Sequence, residues 1–403
     1  MNYIIRGKKL VTVSNTGTIE NGAMLVQDGM IKEVGFWDVL KNQFPEIDVI
    51  DCSKQVITPG LVDCHTHLLE FAPTSLYPVT PETHFLAGKA ILFQALSSGI
   101  TALGEQICGH PLCDFSVKDY RDAVADFPMD ISFATTSISI GFEELAHFTS
   151  ITGSTPVTQK DLSSSNLVKK IAKNSDYPGE NIFINATPAN FTEDVVPRAG
   201  EIIYTAQQLK KIVSIYHDAG KKIGCHVAGE EGIGLTLDAG FDVLHHAHGI
   251  TDEQIDKVVE NEVQIVATPM GGTHLPPNSP EEIVKLVQRN IPVSISTDAY
   301  LPPYPGVPWL PFQDRSLQGP DSLMLIAEPV MNVLKNTFDE NQILALLTHN
   351  PARILGKENQ FGRLETGLEA NFLVAEGIPG LEFFEVDKIK KVFYKGIKVI
   401  ERG

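Results

Sequence analysis

Between about residues 56 and 355, apolar runs of strand length alternate with segments of helical period, and this alternation restricts the fold more than any other property of the chain. A chain that alternates this way buries its strands in a parallel sheet and packs its helices outside, because each crossover returns it to the same end of the sheet. Runs at 61–67, 101–105, 131–136, 182–186, 223–227, 243–246, 263–267 and 293–297 read as strands. Helical periods fall at 82–98, 205–219, 233–239, 253–260 and 280–289. About eight strand–helix units over about 300 residues is the size of a (β/α)8 TIM barrel, with a doubly wound open sheet as the alternative. No Gly-x-Gly-x-x-Gly follows a first strand, so a dinucleotide site is not expected.

The two ends of the chain read differently. The first part has short strand-like runs, with Asp28-Gly29 as a hairpin turn between two of them, and the last part, 361–400, is strand-like again. Neither end has enough strand to close a core alone. Both ends are therefore expected to pair into one small composite β-sandwich domain, giving segments 1–58, 59–357 and 358–403 with the barrel in the middle.

The net charge of -18 and pI near 5.1 argue against a nucleic-acid partner and against anionic membrane surfaces. No apolar run reaches membrane-spanning length, and Met1-Asn2-Tyr3-Ile4-Ile5-Arg6 lacks the pattern of a secretory signal, so the expected location is the cytoplasm. Five cysteines are too few for a disulfide framework in 403 residues.

The chemistry sits at the ends of the strands. Pro59-Gly60-Leu61-Val62-Asp63-Cys64-His65-Thr66-His67 closes an apolar run with two histidines spaced i, i+2, so both side chains leave the same face, as two imidazoles on one metal ion must. Gly224-Cys225-His226, Asp242-Val243-Leu244-His245-His246 and Ile295-Ser296-Thr297-Asp298 end later strands in the same manner. Singly, a histidine at a strand end is usually a satisfied polar residue and an aspartate a helix cap. A barrel brings all its strand C-termini to one face, where His65, His67, His226, His246 and Asp298 would converge.

With these motifs, and with Thr348-His349-Asn350-Pro351-Ala352-Arg353 running on to Gly362-Arg363-Leu364-Glu365-Thr366-Gly367, the sequence resembles the amidohydrolase superfamily over nearly its whole length. The likeness is strongest to its imidazolonepropionase-like and prolidase-like members. The resemblance implies that His65, His67 and Asp298 bind one metal, with His226 and His246 on a second ion or beside the first. Many relatives bridge two metals through a carbamylated lysine at the end of the fourth strand. In the matching run, Asn181-Ile182-Phe183-Ile184-Asn185, that place falls to Phe183, so one ion is expected, with two as the alternative. Zinc suits the histidine-rich set, with iron or manganese as alternatives. Mononuclear deaminases of the superfamily carry a glutamate three residues after the strand-five histidine. Here that position is Gly229, followed by Glu230 and Glu231.

The expected activity is metal-dependent hydrolysis of a C–N bond, amide or cyclic amide, in a small molecule. Asp298 would take the proton of the attacking water and His246 would polarise the scissile group. The rivals are deamination of a heterocycle, lactone or ester hydrolysis on the same site, and a non-catalytic scaffold. Substrate contacts are expected from Met270 and His274 in the loop after the seventh strand, and from Asn185, His248 and Tyr300. His245 and His248 flank His246, and either can serve as its supporting partner. Cys108-Gly109-His110-Pro111-Leu112-Cys113 looks superficially like a zinc motif but lacks a fourth ligand nearby. The superfamily also implies a homo-oligomer.

Overall fold

In the computed structural model of the chain, residues 2–69, 80–107, 115–136, 161–186, 199–312 and 314–403 are described. The first segment folds as strands β1 (Asn2–Val11), β2 (Thr18–Glu20), β3 (Gly22–Gln27) and β4 (Met30–Phe36), a short helix α1 (Trp37–Gln43) and β5 (Val49–Pro59). Asp28 and Gly29, with φ of 51° and 80°, form the expected tight turn between β3 and β4.

The central segment alternates throughout. Its first half runs β6 (Leu61–Thr66), α2 (Pro81–Ser97), β7 (Ile100–Ile107), α3 (Val117–Val124), β8 (Asp130–Thr135), α4 (Ser165–Asn174), β9 (Ile182–Phe183) and α5 (Ala206–Asp218). The second half runs β10 (Gly224–Ala228), α6 (Glu230–Ala239), β11 (Val243–His248), α7 (Asp252–Glu260), β12 (Gln264–Ala267), α8 (Pro280–Gln288) and β13 (Val293–Ile295). Helices α9 (Leu323–Leu334), α10 (Glu340–Leu344) and α11 (His349–Ile354) follow, then β14 (Phe372–Ala375), β15 (Ile389–Tyr394) and β16 (Ile397–Glu401).

The chain ends meet in one eight-stranded sheet of order β16-β15-β14-β5-β1-β3-β4, with β2 on β1. β5 is the join: it runs parallel to β1 and antiparallel to β14. One face of the sheet encloses Ile5, Met24, Val26, Phe372, Val374 and Phe393, and the other packs Ile4, Ala23 and Leu25 against Leu40 of α1. Alternation along β1 and β3 thus sends neighbouring residues into two separate apolar clusters.

The eight central strands are parallel and lie in two sheets, β6-β7-β8 and β13-β12-β11-β10-β9. Every residue of β6, β7, β10, β11 and β12 is buried, which is why these strands read as continuous apolar runs. Beyond the end of β13, Asp298 N donates to His65 O (3.0 Å) and His67 N to Ala299 O (2.8 Å), joining the two sheets at the C-terminal ends of their strands. Below them the buried Asp63 accepts from Thr297 Oγ1 at 2.6 Å. On the other side, Asn181 Nδ2 donates to Thr135 O (3.3 Å). Helices start where a side chain caps them: Thr251 with Gln254 on α7 and Ser279 with Glu282 on α8 form reciprocal capping boxes.

The fourth strand is shorter than expected, two residues in place of five. Ile184 N still reaches His226 O, but Asn185 then bridges to Ile202 and the backbone leaves the sheet.

Candidate metal centre

Four histidines and two carboxylates converge at the C-terminal ends of the central strands. His65 ends β6, and His67 lies just past it on a segment tied down by a buried carboxylate. Glu105 of β7 accepts from Thr66 Oγ1, Leu68 N (3.1 Å) and Leu69 N (2.9 Å), gripping the residues on both sides of His67. His226 comes from β10 and His246 from β11. Asp298 follows β13 with φ of 54°, and His246 has φ of 71°, both in the left-handed region that costs energy outside glycine.

Glu180, at the centre, is a residue that sequence reasoning missed. Its Oε1 lies 2.7 Å from His226 Nδ1 and 2.7 Å from His246 Nε2. Its Oε2 lies 3.5 Å from Nε2 of both His65 and His67. Asp298 Oδ1 lies 3.3 Å from His65 Nε2 and 3.6 Å from His67 Nε2. The expectation that Phe183 stands at the bridging position is corrected: Phe183 stacks flat on the His226 ring (4.2 Å between centroids, 9° between planes). The carboxylate between the two histidine pairs belongs to Glu180, two residues ahead of β9. Its backbone N donates to Gln106 Oε1 at 2.9 Å. Only the turn-like Pro178-Gly179 in front of an apolar strand marked the segment in the sequence, and a strand-end search does not reach it.

The donors around His65 and His67 fit a divalent metal. Ligand atoms on a tetrahedral ion with bonds of about 2.1 Å stand about 3.4 Å apart, close to the spacings among His65, His67, Asp298 and Glu180. His65 Nε2 is fully buried without a hydrogen-bond partner, although Glu180, His246, His67 and Asp298 surround it. Supporting contacts aim the rings. Thr268 Oγ1 donates to Gly271 O (2.7 Å), so it accepts from His246 Nδ1 (2.7 Å) and turns Nε2 of that ring towards Glu180. Gly272 (φ 107°) closes the site from above: a Cβ there would stand 2.3 Å from Asp298 Oδ2 and 2.6 Å from His246 Cε1.

Burial works against a charge on Glu180, but His65 and His226, together with hydrogen bonds from His226 and His246, outweigh it and hold the carboxyl well below its ordinary range. Asp298 is likewise kept ionised, against burial, chiefly by His65. Burial favours neutral His65, yet Glu180 and Asp298 lift its pKa to about 10 in the metal-free centre.

The remaining expected residues are placed as follows. His248, buried, pairs Nδ1 with Thr273 Oγ1 (2.8 Å) beside His246. His245 lies behind His65, its Nδ1 2.8 Å from His65 Nδ1 and its Nε2 3.0 Å from Pro178 O. Asn185 spends its amide on the backbone, accepting from Ala228 N and donating to Gly200 O, both at 2.9 Å. Met270 is fully buried, and its carbonyl accepts from Tyr304 N. His274 is partly buried on the loop after β12, and Tyr300 OH reaches Gln94 of α2 at 3.3 Å. Glu230 and Glu231 lie exposed in the first turn of α6, away from the cluster. Residues 108–113 of the cysteine motif fall outside the described residues. The described cysteines Cys52, Cys64 and Cys225 are buried and free.

Comparison with known proteins places this arrangement. The family model for the amidohydrolase family matches residues 56–399, and the chain belongs to that family, hydrolases acting on carbon–nitrogen bonds. An imidazolonepropionase of Pyrobaculum arsenaticum is 24% identical over 331 residues, 73% of this chain and 77% of the relative. A 5-methylthioadenosine/S-adenosylhomocysteine deaminase of Syntrophomonas wolfei is 22% identical over 93% of this chain and 85% of its own length. Among solved structures, an Xaa-Pro dipeptidase with bound methionine superposes over 100% of both chains with a TM-score of 0.72 at 17% identity. These structures share the fold. No helix among the described residues is long and apolar enough to cross a membrane.

Proposed function

We propose that this chain hydrolyses the amide or cyclic amide bond of a small molecule at a two-ion centre bridged by Glu180, on a closed (β/α)8 barrel spanning 59–357, with 1–58 and 358–403 forming the flanking β-domain. One observation carries the reading: the two oxygens of Glu180 divide between two histidine pairs, Oε2 to His65 and His67, Oε1 to His226 and His246. That geometry supports two ions over the single ion expected from an apolar residue at the bridging place. One ion would be held by His65, His67, Asp298 and Glu180, the other by His226, His246 and Glu180. Zinc is the proposed metal, on the nitrogen and oxygen donors. Divalent metal there supplies water activation near neutral pH and Lewis-acid polarisation of the scissile carbonyl.

The chain's own groups do the rest. Asp298 commits Oδ1 to the histidines and keeps Oδ2 for a proton, which it takes from the attacking water and passes to the leaving nitrogen. Thr268 holds the His246 ring, and the 270–275 loop, packed against Tyr304, narrows the approach. Among the described residues the place three after His226 is Gly229, and Glu230 and Glu231 are exposed in the first turn of α6; this supports amide cleavage over deamination. The test is a substrate panel of cyclic amides, N-acyl amino acids, dipeptides, aminopurines and lactones, run with and without a chelator. Metal-dependent ring opening or amide cleavage is expected. Ammonia release without ring opening, or turnover of lactones alone, would replace the reading.

A further inference from the structure

We infer that His245 is a positioning residue that holds a ring proton of His65 on Nδ1, so that Nε2 is the nitrogen given over to an ion. The inference deepens the proposed function and rests on its reading of His65 as a ligand. The argument follows from which atoms can donate. Pro178 O is an acceptor only, so the 3.0 Å contact requires a proton on His245 Nε2. His65 turns Nε2 to the cluster, so as a ligand its remaining ring proton sits on Nδ1, and His245 Nδ1 accepts. The 2.8 Å contact to His65 Nδ1 then needs its proton from His65. With that proton held on Nδ1, Nε2 is the nitrogen left to exchange its proton for an ion facing Glu180 Oε2 and Asp298 Oδ1. The same imidazole ties the backbone just ahead of Glu180 to the ring of His65. Two adjacent histidines of β11 thereby do different work, because alternation along the strand sends His246 to the cluster and His245 to the back of His65.

Asparagine and glutamine separate the two halves of this device. Asn Oδ1 falls near the place of the imidazole Nδ1 and can accept from His65. Gln Nε2 falls near the place of Nε2 and can donate to Pro178 O. The experiment measures Zn2+ affinity by chelator competition on wild type, His245→Asn and His245→Gln, each checked for a cooperative melt in the metal-free form. The inference expects His245→Asn to bind within about threefold of wild type and His245→Gln to bind about 10–100-fold more weakly, the usual cost of losing such a partner. Equal affinities, or the reverse order expected of a mere tie to Pro178, overturn it. Absence of Zn2+ uptake by wild type would sink the site reading as well, whereas binding by wild type with equal variants removes only the role of His245. Imidazole 15N spectra of the Zn2+-loaded wild type give a second readout that needs no variant. The proton should sit on His65 Nδ1 with coupling to His245 Nδ1 across the hydrogen bond, and a proton on His245 Nδ1 would contradict the assignment.

Discussion

Asp298 offers its two oxygens to different neighbours: Oδ1 faces His65 and His67, while Oδ2 lies 4.0 Å from His246 Nδ1 beneath Gly272. If Oδ2 is the proton acceptor, Asp298→Asn keeps an oxygen for the histidine side and loses the base. Turnover should fall about 10²–10⁴-fold, the usual worth of a general base. Steady-state kinetics alongside metal analysis check this, and near-normal turnover with metal retained would remove Asp298 from that role. At this scale the histidines were legible because a strand sends every second side chain to one face, so His65 with His67, and the strand-end position of His226 and His246, announce a shared direction. Glu180 was not. It precedes its strand, and its role depends on the fold carrying the Pro178-Gly179 turn between β8 and β10, a placement no local period encodes. At Asn185 the chain leaves the sheet, and the backbone groups freed there claim its amide.

The element that seats Glu180 depends on a glycine in the neighbouring strand. A Cβ on Gly224 of β10 would stand 2.2 Å from Gly179 O and 2.6 Å from Pro178 O, and backbone carbonyls cannot rotate away. Gly224→Ala should therefore push the 178–180 segment off its seat, lowering stability by about 1–3 kcal/mol as overpacking does and lowering metal content with it. Denaturant unfolding and metal analysis measure the two effects, and an unchanged metal content in folded Gly224→Ala would show that the segment does not position the carboxylate. Helices and strands were read from period and caps to within a few residues over most of the centre: 205–219 became Ala206–Asp218, and 280–289 became Pro280–Gln288. The fourth strand escaped because apolar residues continue past Phe183 while the hydrogen bonds do not.

Over the whole molecule, the charges meeting at the centre couple metal binding to pH. Glu180 and Asp298, outweighing burial, hold a proton on His65 with a pKa of about 10 when no ion is present. Below that pKa an incoming ion must displace the proton, so Zn2+ affinity should rise with pH, by up to about tenfold per unit for each proton released. Chelator competition at pH 6.5, 7.5 and 8.5 measures the slope, and a flat profile would mean that His65 is not a ligand. The pairing of the chain ends was legible in outline, since two sets of strands too small to stand alone predict each other. Their order was not, because β5 pairs with β1 on one side and, on the other, with β14 more than 300 residues away in sequence. The central claim is that Glu180 joins two metal sites, and metal content per folded chain, for wild type and Glu180→Gln after Zn2+ loading and desalting, tests it most directly. Two ions in wild type and at most one in Glu180→Gln are predicted. One ion in both proteins would contradict the bridge.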